Sequence, residues 1–149
     1  MSVRMPELDA EILGRRDRIV TALRSIVPGE GVIAGEREMR PYETDGLTAY
    51  RQLPMVVVLP ETTQQVAEVL RYCHDEGIKV VPRGAGTSLS GGALPLGDGV
   101  LLGMAKFNRI REIDFENRVA VVEPGVTNLA VTNAVAHAGF YYAPDPSSQ

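Results

Sequence analysis

Ile78-Lys79-Val80-Val81-Pro82-Arg83-Gly84-Ala85-Gly86-Thr87-Ser88-Leu89-Ser90-Gly91-Gly92 is an apolar, β-branched run that passes without a break into a glycine-rich loop. The first four residues suit a strand. Gly84, Gly86, Gly91 and Gly92 let the chain that follows take positive φ and approach a ligand closely. Successive N–H groups of such a loop can point inward as a concave anion nest. Thr87, Ser88 and Ser90 add hydroxyl donors and Arg83 a positive charge, the set that a pyrophosphate requires. In open α/β sheets ligands collect beyond the carboxyl ends of strands, which is where this loop must lie.

Upstream of the loop, Met55-Val56-Val57-Val58-Leu59 lies between Pro54 and Pro60 and suits a central strand buried on both faces. Thr62 and Gln65 have capping-box spacing, and Val66, Val69, Leu70 and Cys73 recur at helical spacing, which predicts an amphipathic helix ending at Gly77. The two strands and this helix form a strand–helix–strand unit with parallel strands and a right-handed crossover. Downstream, residues 100–104 suggest a strand, and residues 110–115 and 119–122 a hairpin turning at Glu116-Asn117. A helix is expected from Thr127, as N-cap, to Gly139, followed by a loop over residues 141–149. At the start of the chain, residues 6–27 read as a helix with Leu8, Ile12, Ile19, Leu23 and Ile26 on one face, stopped by Pro28-Gly29. Residues 28–54 show no sustained period and read as a connecting segment wrapped on the surface.

A length of 149 residues with 44% hydrophobic content fits one globular domain with a real core. The charged fraction of 23% and formal net charge of −4 leave no electrostatic footprint for nucleic acid or an anionic membrane. No apolar run approaches the roughly 20 residues needed to cross a bilayer. The first residues lack a secretory pattern and the lone Cys73 cannot form an internal disulfide, so a cytoplasmic, reducing compartment is expected. Cys73 lies on an apolar helix stripe and is expected to be an inert core thiol. His74 and His137 fall on different helices without a ligand cluster, so no metal is expected. The run Arg15-Arg16-Asp17-Arg18 is read as a solvated face.

Two familiar phosphate loops are excluded. The dinucleotide pattern G-x-G-x-x-G fails because Leu89 stands where the third glycine belongs, and the P-loop pattern fails because Gly92 follows Gly91 where Lys is required. Composition alone leaves the segment equally readable as a mobile surface loop joining two strands.

Four segments carry a resemblance: Val58-Leu59-Pro60 before Thr62-Thr63, the Pro82–Gly92 loop, Val122-Glu123-Pro124-Gly125-Val126, and Tyr142-Ala143-Pro144-Asp145-Pro146-Ser147-Ser148-Gln149. They resemble the FAD-linked oxidases whose two-part FAD domain is named after p-cresol methylhydroxylase (PCMH) and vanillyl-alcohol oxidase, and within them the glycolate oxidase D-subunit and D-lactate dehydrogenase group. The resemblance implies an α+β fold: the N-terminal subdomain of a two-part PCMH-type FAD-binding domain, with a βαβ unit plus further strands, preceded by an N-terminal helix. Residues 1–54 would be the helix and connecting segment, and 55–149 the N-terminal portion of the FAD-binding domain. It further implies that Pro82, Arg83, Gly84, Ala85, Gly86, Thr87, Ser88, Leu89, Gly91 and Gly92 hold the FAD pyrophosphate. Pro60 would lie near the cofactor at a strand end, and Pro144, Asp145, Pro146, Ser147 and Ser148 would open a second cofactor-binding stretch. Ser88 stands where many relatives have Gly.

The implied reaction is oxidation of a 2-hydroxy acid, glycolate or D-lactate, to the 2-oxo acid by hydride transfer to flavin. Iron–sulfur and second flavoprotein subunits of an oxidase complex are the implied protein partners. Relatives that tether flavin through this loop use a His in it; the loop here has none, so FAD is expected to be non-covalent. Related proteins continue past the position of Gln149 into the segments expected to carry the general base and carboxylate-binding groups, so no catalytic residue is assigned and the isolated chain is expected to be inactive. Its strands at 55–59 and 119–122 are expected to leave apolar surface uncovered. A non-catalytic FAD- or nucleotide-binding module and a structural subunit with an empty glycine loop are the competing functions.

Overall fold

A computed structural model describes residues 5–144. Its centre is β2 (Val56–Val58), whose three valines are fully buried. Complete burial of such a side chain contributes about 1.5–3 kcal/mol. With β1 (Val32–Ile33), β3 (Lys79–Arg83) and β4 (Gly99–Gly103) it forms a four-stranded sheet of order β1-β2-β4-β3. β1 is antiparallel to β2, while β2, β4 and β3 are parallel. The strand–helix–strand unit is therefore parallel as expected, with β4 inserted between its two strands.

Alternation along β2 and β4 explains why both faces are apolar. Val56, Val58, Val100 and Leu102 pack with residues of α1 (Ala10–Gly14), α2 (Arg16–Ile26) and α4 (Thr63–Asp75). Val57 and Leu101 point the other way, onto Met39 at the end of α3 (Glu36–Met39), with Tyr42, Leu53 and Leu59 beside it. Residues 28–54 are thus not merely a surface connection. They supply β1 and the cover of the sheet's second face. The expectation that residues 55–59 leave apolar surface exposed is overturned for the same reason.

The helices start and stop where local chemistry dictates. Asp9 caps α1, its side chain accepting from Glu11 N (2.9 Å) and Ile12 N (3.2 Å), so the first helix begins at Ala10 rather than at residue 6 and breaks at Arg15 after Gly14. Leu8 lies outside it, 48% exposed. Thr62 caps α4 by accepting from Gln65 N (3.1 Å), while the Gln65 side chain accepts from Glu61 N (2.8 Å), one residue upstream of the expected box partner. Val69 and Cys73 are buried but Leu70 is not. Burial pushes the Cys73 thiol up to about 11, which keeps it protonated and inert. The Arg15–Arg18 run is solvated at Asp17 and Arg18, as expected, but it also acts as a clamp. Arg15 and Arg18 both pair with Glu76, and Arg16 donates to the carbonyls of Met55 (3.2 Å) and Ala34.

A separate two-stranded sheet, β5 (Ile110–Asp114) with antiparallel β6 (Val119–Val122), forms the expected hairpin, with Arg118 at φ 56 closing its turn. α5 (Asn128–Val135) follows, capped by Thr127 accepting from Ala130 N (3.2 Å) and ended, after one 3-10 turn, by Gly139 in the left-handed region.

Candidate functional site

Parallel pairing brings three strand ends to one edge. Val58 lies opposite Leu102 and Arg83 opposite Gly103, so Leu59-Pro60, Gly84 and Met104-Ala105 emerge together. At this edge Gly84, Ala85, Ala105 and residues 124–128 line a cavity of about 290 Å³. Gly125 seats the second wall: its N–H donates to Phe107 O (2.7 Å), and a Cβ there would meet the carbonyl oxygens of Met104 at 2.5 Å and Phe107 at 2.7 Å. The N-terminus of α5 enters the same cavity through Thr127 and Asn128. Helix N-terminal N–H groups and their dipole favour an anion.

The glycine loop is shaped by two positive-φ residues, Gly86 (φ +74) and Gly91 (φ +78); Gly84 and Gly92 take ordinary angles. Ser88 braces it from inside. Its Oγ accepts from the N–H of Ser90 (3.3 Å) and Gly92 (3.1 Å). Arg83 is tied to the neighbouring backbone through one end of its guanidinium. Its Nη1 donates to the carbonyls of Tyr42 (3.2 Å), Thr44 (2.7 Å) and Ala93 (3.4 Å), and its guanidinium lies 5.8 Å from the Tyr42 ring centre. Three carbonyls converge on Nη1, whose two protons are shared among them, the Thr44 carbonyl being nearest.

Of the residues singled out from sequence, Gly84 and Ala85 line the cavity, with Gly86, Thr87, Ser88, Gly91 and Gly92 in the loop behind them. Pro82 belongs to β3, and Leu89 is 74% exposed at the loop. Pro60 is fully buried and lines neither this cavity nor the larger one beside the hairpin, because it packs into the layer where β2 ends. Pro144 is exposed, and Asp145, Pro146, Ser147 and Ser148 lie outside the described residues. Sequence reasoning missed the Tyr42–Leu47 segment, which touches the loop through Thr44, Asp45, Gly46 and Leu47. Its only sequence trace is an aspartate and a glycine inside an aperiodic stretch.

Glu123, 3% exposed, anchors the wall opposite the loop. It accepts from Arg109 N (3.0 Å) and from the Arg109 and Arg111 side chains (3.1 and 2.9 Å). The hydrogen bonds from Arg109, side chain first, hold its carboxyl down at about 2.

A ligand with a diphosphate fits these residues. A Cβ on Gly84 would meet nothing within 4 Å, so backbone is open to the cavity there, and its lining offers backbone amides, the Asn128 amide, the Thr127 hydroxyl and a helix N-terminus. Among the described residues no cluster of three or more His, Cys, Asp or Glu could hold a metal ion. A parallel sheet with a glycine-lined cavity and a helix N-terminus at its carboxyl edge suits a diphosphate-bearing cofactor.

Comparison with known proteins narrows that class. The FAD binding domain family matches residues 54–149. The chain is 51% identical over 145 residues to the glycolate oxidase subunit GlcD of Escherichia coli K12, covering 97% of this chain and 28% of that protein. It is 35% identical over 121 residues to the mitochondrial D-2-hydroxyglutarate dehydrogenase of Bos taurus, covering 81% of this chain and 22% of the relative. The crystal structure of p-cresol methylhydroxylase with substrate bound superposes with a TM-score of 0.76 at 25% identity, over 93% of this chain and 27% of that one. The chain belongs to the FAD binding domain family, with the PCMH-type fold, and FAD is its cofactor. It spans between a fifth and a third of the length of these relatives.

Proposed function

We propose that this chain is the FAD-holding N-terminal part of an oxidoreductase that converts a 2-hydroxy acid, glycolate or D-lactate, into the 2-oxo acid. The observation that carries it is the cavity between Gly84-Ala85 and residues 124–128, in a chain 51% identical to a glycolate oxidase subunit. Bound FAD would supply the hydride acceptor for the α-carbon of the hydroxy acid. Residues of this chain bind and orient it. Amides of the 84–92 loop and the Ser88 hydroxyl hold the diphosphate, the α5 N-terminus faces the same charge, and residues 144–148 form a second contact stretch. The loop contains no His, so the cofactor is held without a covalent link.

Residues 55–149 form the FAD-binding portion and residues 1–54 its support. The general base and the groups that bind the substrate carboxylate belong to parts of the protein outside this chain. Iron–sulfur and second flavoprotein subunits take the electrons onward. No helix among the described residues is long and apolar enough to cross a membrane. The buried, unpaired Cys73 suits a reducing, cytoplasmic compartment.

The test uses the protein as its gene encodes it. Acid precipitation is expected to release yellow FAD into the supernatant, and anaerobic glycolate or D-lactate is expected to bleach the flavin absorbance of the native protein. An FAD-loaded protein that neither acid bleaches would instead be a non-catalytic FAD module or an enzyme of another substrate class.

A further inference from the structure

The glycine loop is held from a side to which the sequence does not connect it. Arg83 Nη1, on the last residue before the loop, reaches the carbonyls of Tyr42 (3.2 Å) and Thr44 (2.7 Å), and also that of Ala93 (3.4 Å), the residue that follows Gly92. Asp45 is 4% exposed, and its carboxylate accepts from Leu47 N (2.9 Å) and, across the loop's end, from Ala93 N (3.4 Å). Leu47 N also donates to Ser88 O (3.1 Å), in the middle of the loop. Gly46 lies so close that a Cβ on it would meet the carbonyl oxygens of Thr87 at 2.8 Å and Ser88 at 2.9 Å. Start, middle and end of the loop are all fixed by one upstream segment.

A glycine-rich loop loses more backbone freedom on ordering than any other composition, and ordering that accompanies binding subtracts from affinity. We infer that Tyr42–Leu47 is the positioning element that holds the glycine loop in its binding shape before a diphosphate arrives, with Asp45 and Gly46 as its working residues. This rests on the loop being the diphosphate cradle. Asp45 is a buried carboxyl beside the proposed anion site, yet its oxygens accept from the N–H groups of Leu47 and Ala93. It acts on the loop's geometry and not on the ligand. Gly46 acts by having no side chain, which allows backbone to lie against backbone.

The experiment titrates the apoprotein, full length as encoded, with FAD, ADP and riboflavin, for the parent and for Gly46→Ala, Asp45→Asn and Gly84→Val. Gly46→Ala and Asp45→Asn are expected to weaken FAD and ADP by about tenfold or more, the equivalent of one lost interaction. Riboflavin carries no diphosphate and is expected to keep its affinity. If either variant fails to fold, the other decides. Equal losses of FAD and riboflavin would indicate general damage and overturn the positioning role. Gly84→Val that abolishes FAD binding beside folded Gly46→Ala and Asp45→Asn proteins that bind like the parent would leave the cradle standing and sink this inference alone. Unchanged FAD binding in Gly84→Val would remove the cradle, and the inference with it.

Discussion

Three glycines of one loop do three different jobs, and a side chain at each would fail differently. Gly86 has φ +74 and lies against the guanidinium of Arg83, so a Cβ there is both strained and in collision with the brace between β3 and Tyr42–Thr44. Gly91 has φ +78 with nothing within 4 Å, which makes strain its only constraint. Gly84 has neither strain nor collision and opens onto the cavity. A β-branched residue at a positive-φ position costs about 1–3 kcal/mol. Gly86→Val is therefore expected to lower both melting temperature and flavin content. Gly84→Val is expected to lose flavin while its apoprotein melts like the parent. Absorbance at the flavin band against protein concentration, with a thermal melt of each apoprotein, checks both. Normal flavin content in the two variants together would exclude the loop as the cradle.

At the scale of elements, the hairpin of β5 and β6 is tied to the cavity wall through one carboxylate. Glu123 follows β6 and precedes the Pro124-Gly125 wall, and it is satisfied by Arg109 and Arg111 on the opposite arm. Its carboxyl titrates at about 2 in the fold against a reference value of 4.5. A depressed folded value means that the contribution is fully present above the unfolded pKa and is lost as pH falls from about 4.5 towards 2. Glu123→Gln is expected to be less stable than the parent at neutral pH, with the gap closing through that acid window. Urea unfolding at a series of pH values reads this. A gap that stays constant from pH 6 down through the window would show that the charge of Glu123 does not stabilise the hairpin.

The elements legible in the sequence were those whose signal is local. Val56–Val58 announces a doubly buried strand by an unbroken β-branched run, Thr62 and Thr127 announce helix starts by their own capping chemistry, and Gly139 announces an end because glycine readily takes the left-handed angle found there, φ +78. Gly84 was legible as a candidate because close backbone approach demands a glycine, whereas Ala85 entered only through the family resemblance; both line the cavity. What stayed hidden depends on partners far along the chain. Asp45 meets Ala93 across 48 positions, β4 enters between β2 and β3, and Arg83 turns towards carbonyls 39 and 41 residues upstream. No period or motif encodes such pairings. Leu70 shows the complementary failure: helical spacing places it on the apolar stripe, yet at 45% exposure it sits at the margin of what β2 and β4 can cover.

Across the whole molecule, apolar surface is distributed unevenly. The four-stranded sheet is covered on one face by α1, α2 and α4 and on the other by Met39, Tyr42 and Leu53. The hairpin has no such cover among the described residues: Val119, Val121 and Val122 are 51%, 45% and 39% exposed. Leu129 on α5 is 54% exposed, and Tyr141 beyond it 73%. Between hairpin and helix opens a groove of about 550 Å³ lined by Phe115, Val119, Val131, Phe140 and Tyr142. A lone two-stranded ribbon is marginal in water and presents unpaired edges, and contiguous apolar patches drive association. The 149-residue chain made on its own is therefore expected to self-associate through this face, with the four-stranded sheet intact. Val119→Thr combined with Val122→Thr is expected to shift it towards monomer, because both residues line the groove and both changes remove exposed apolar surface without touching the buried sheet. Sedimentation velocity over a range of concentrations distinguishes the outcomes. A parent chain that stays monomeric at every concentration would mean that the hairpin and α5 tolerate water as they are, and association unchanged by the double substitution would place the sticky surface elsewhere.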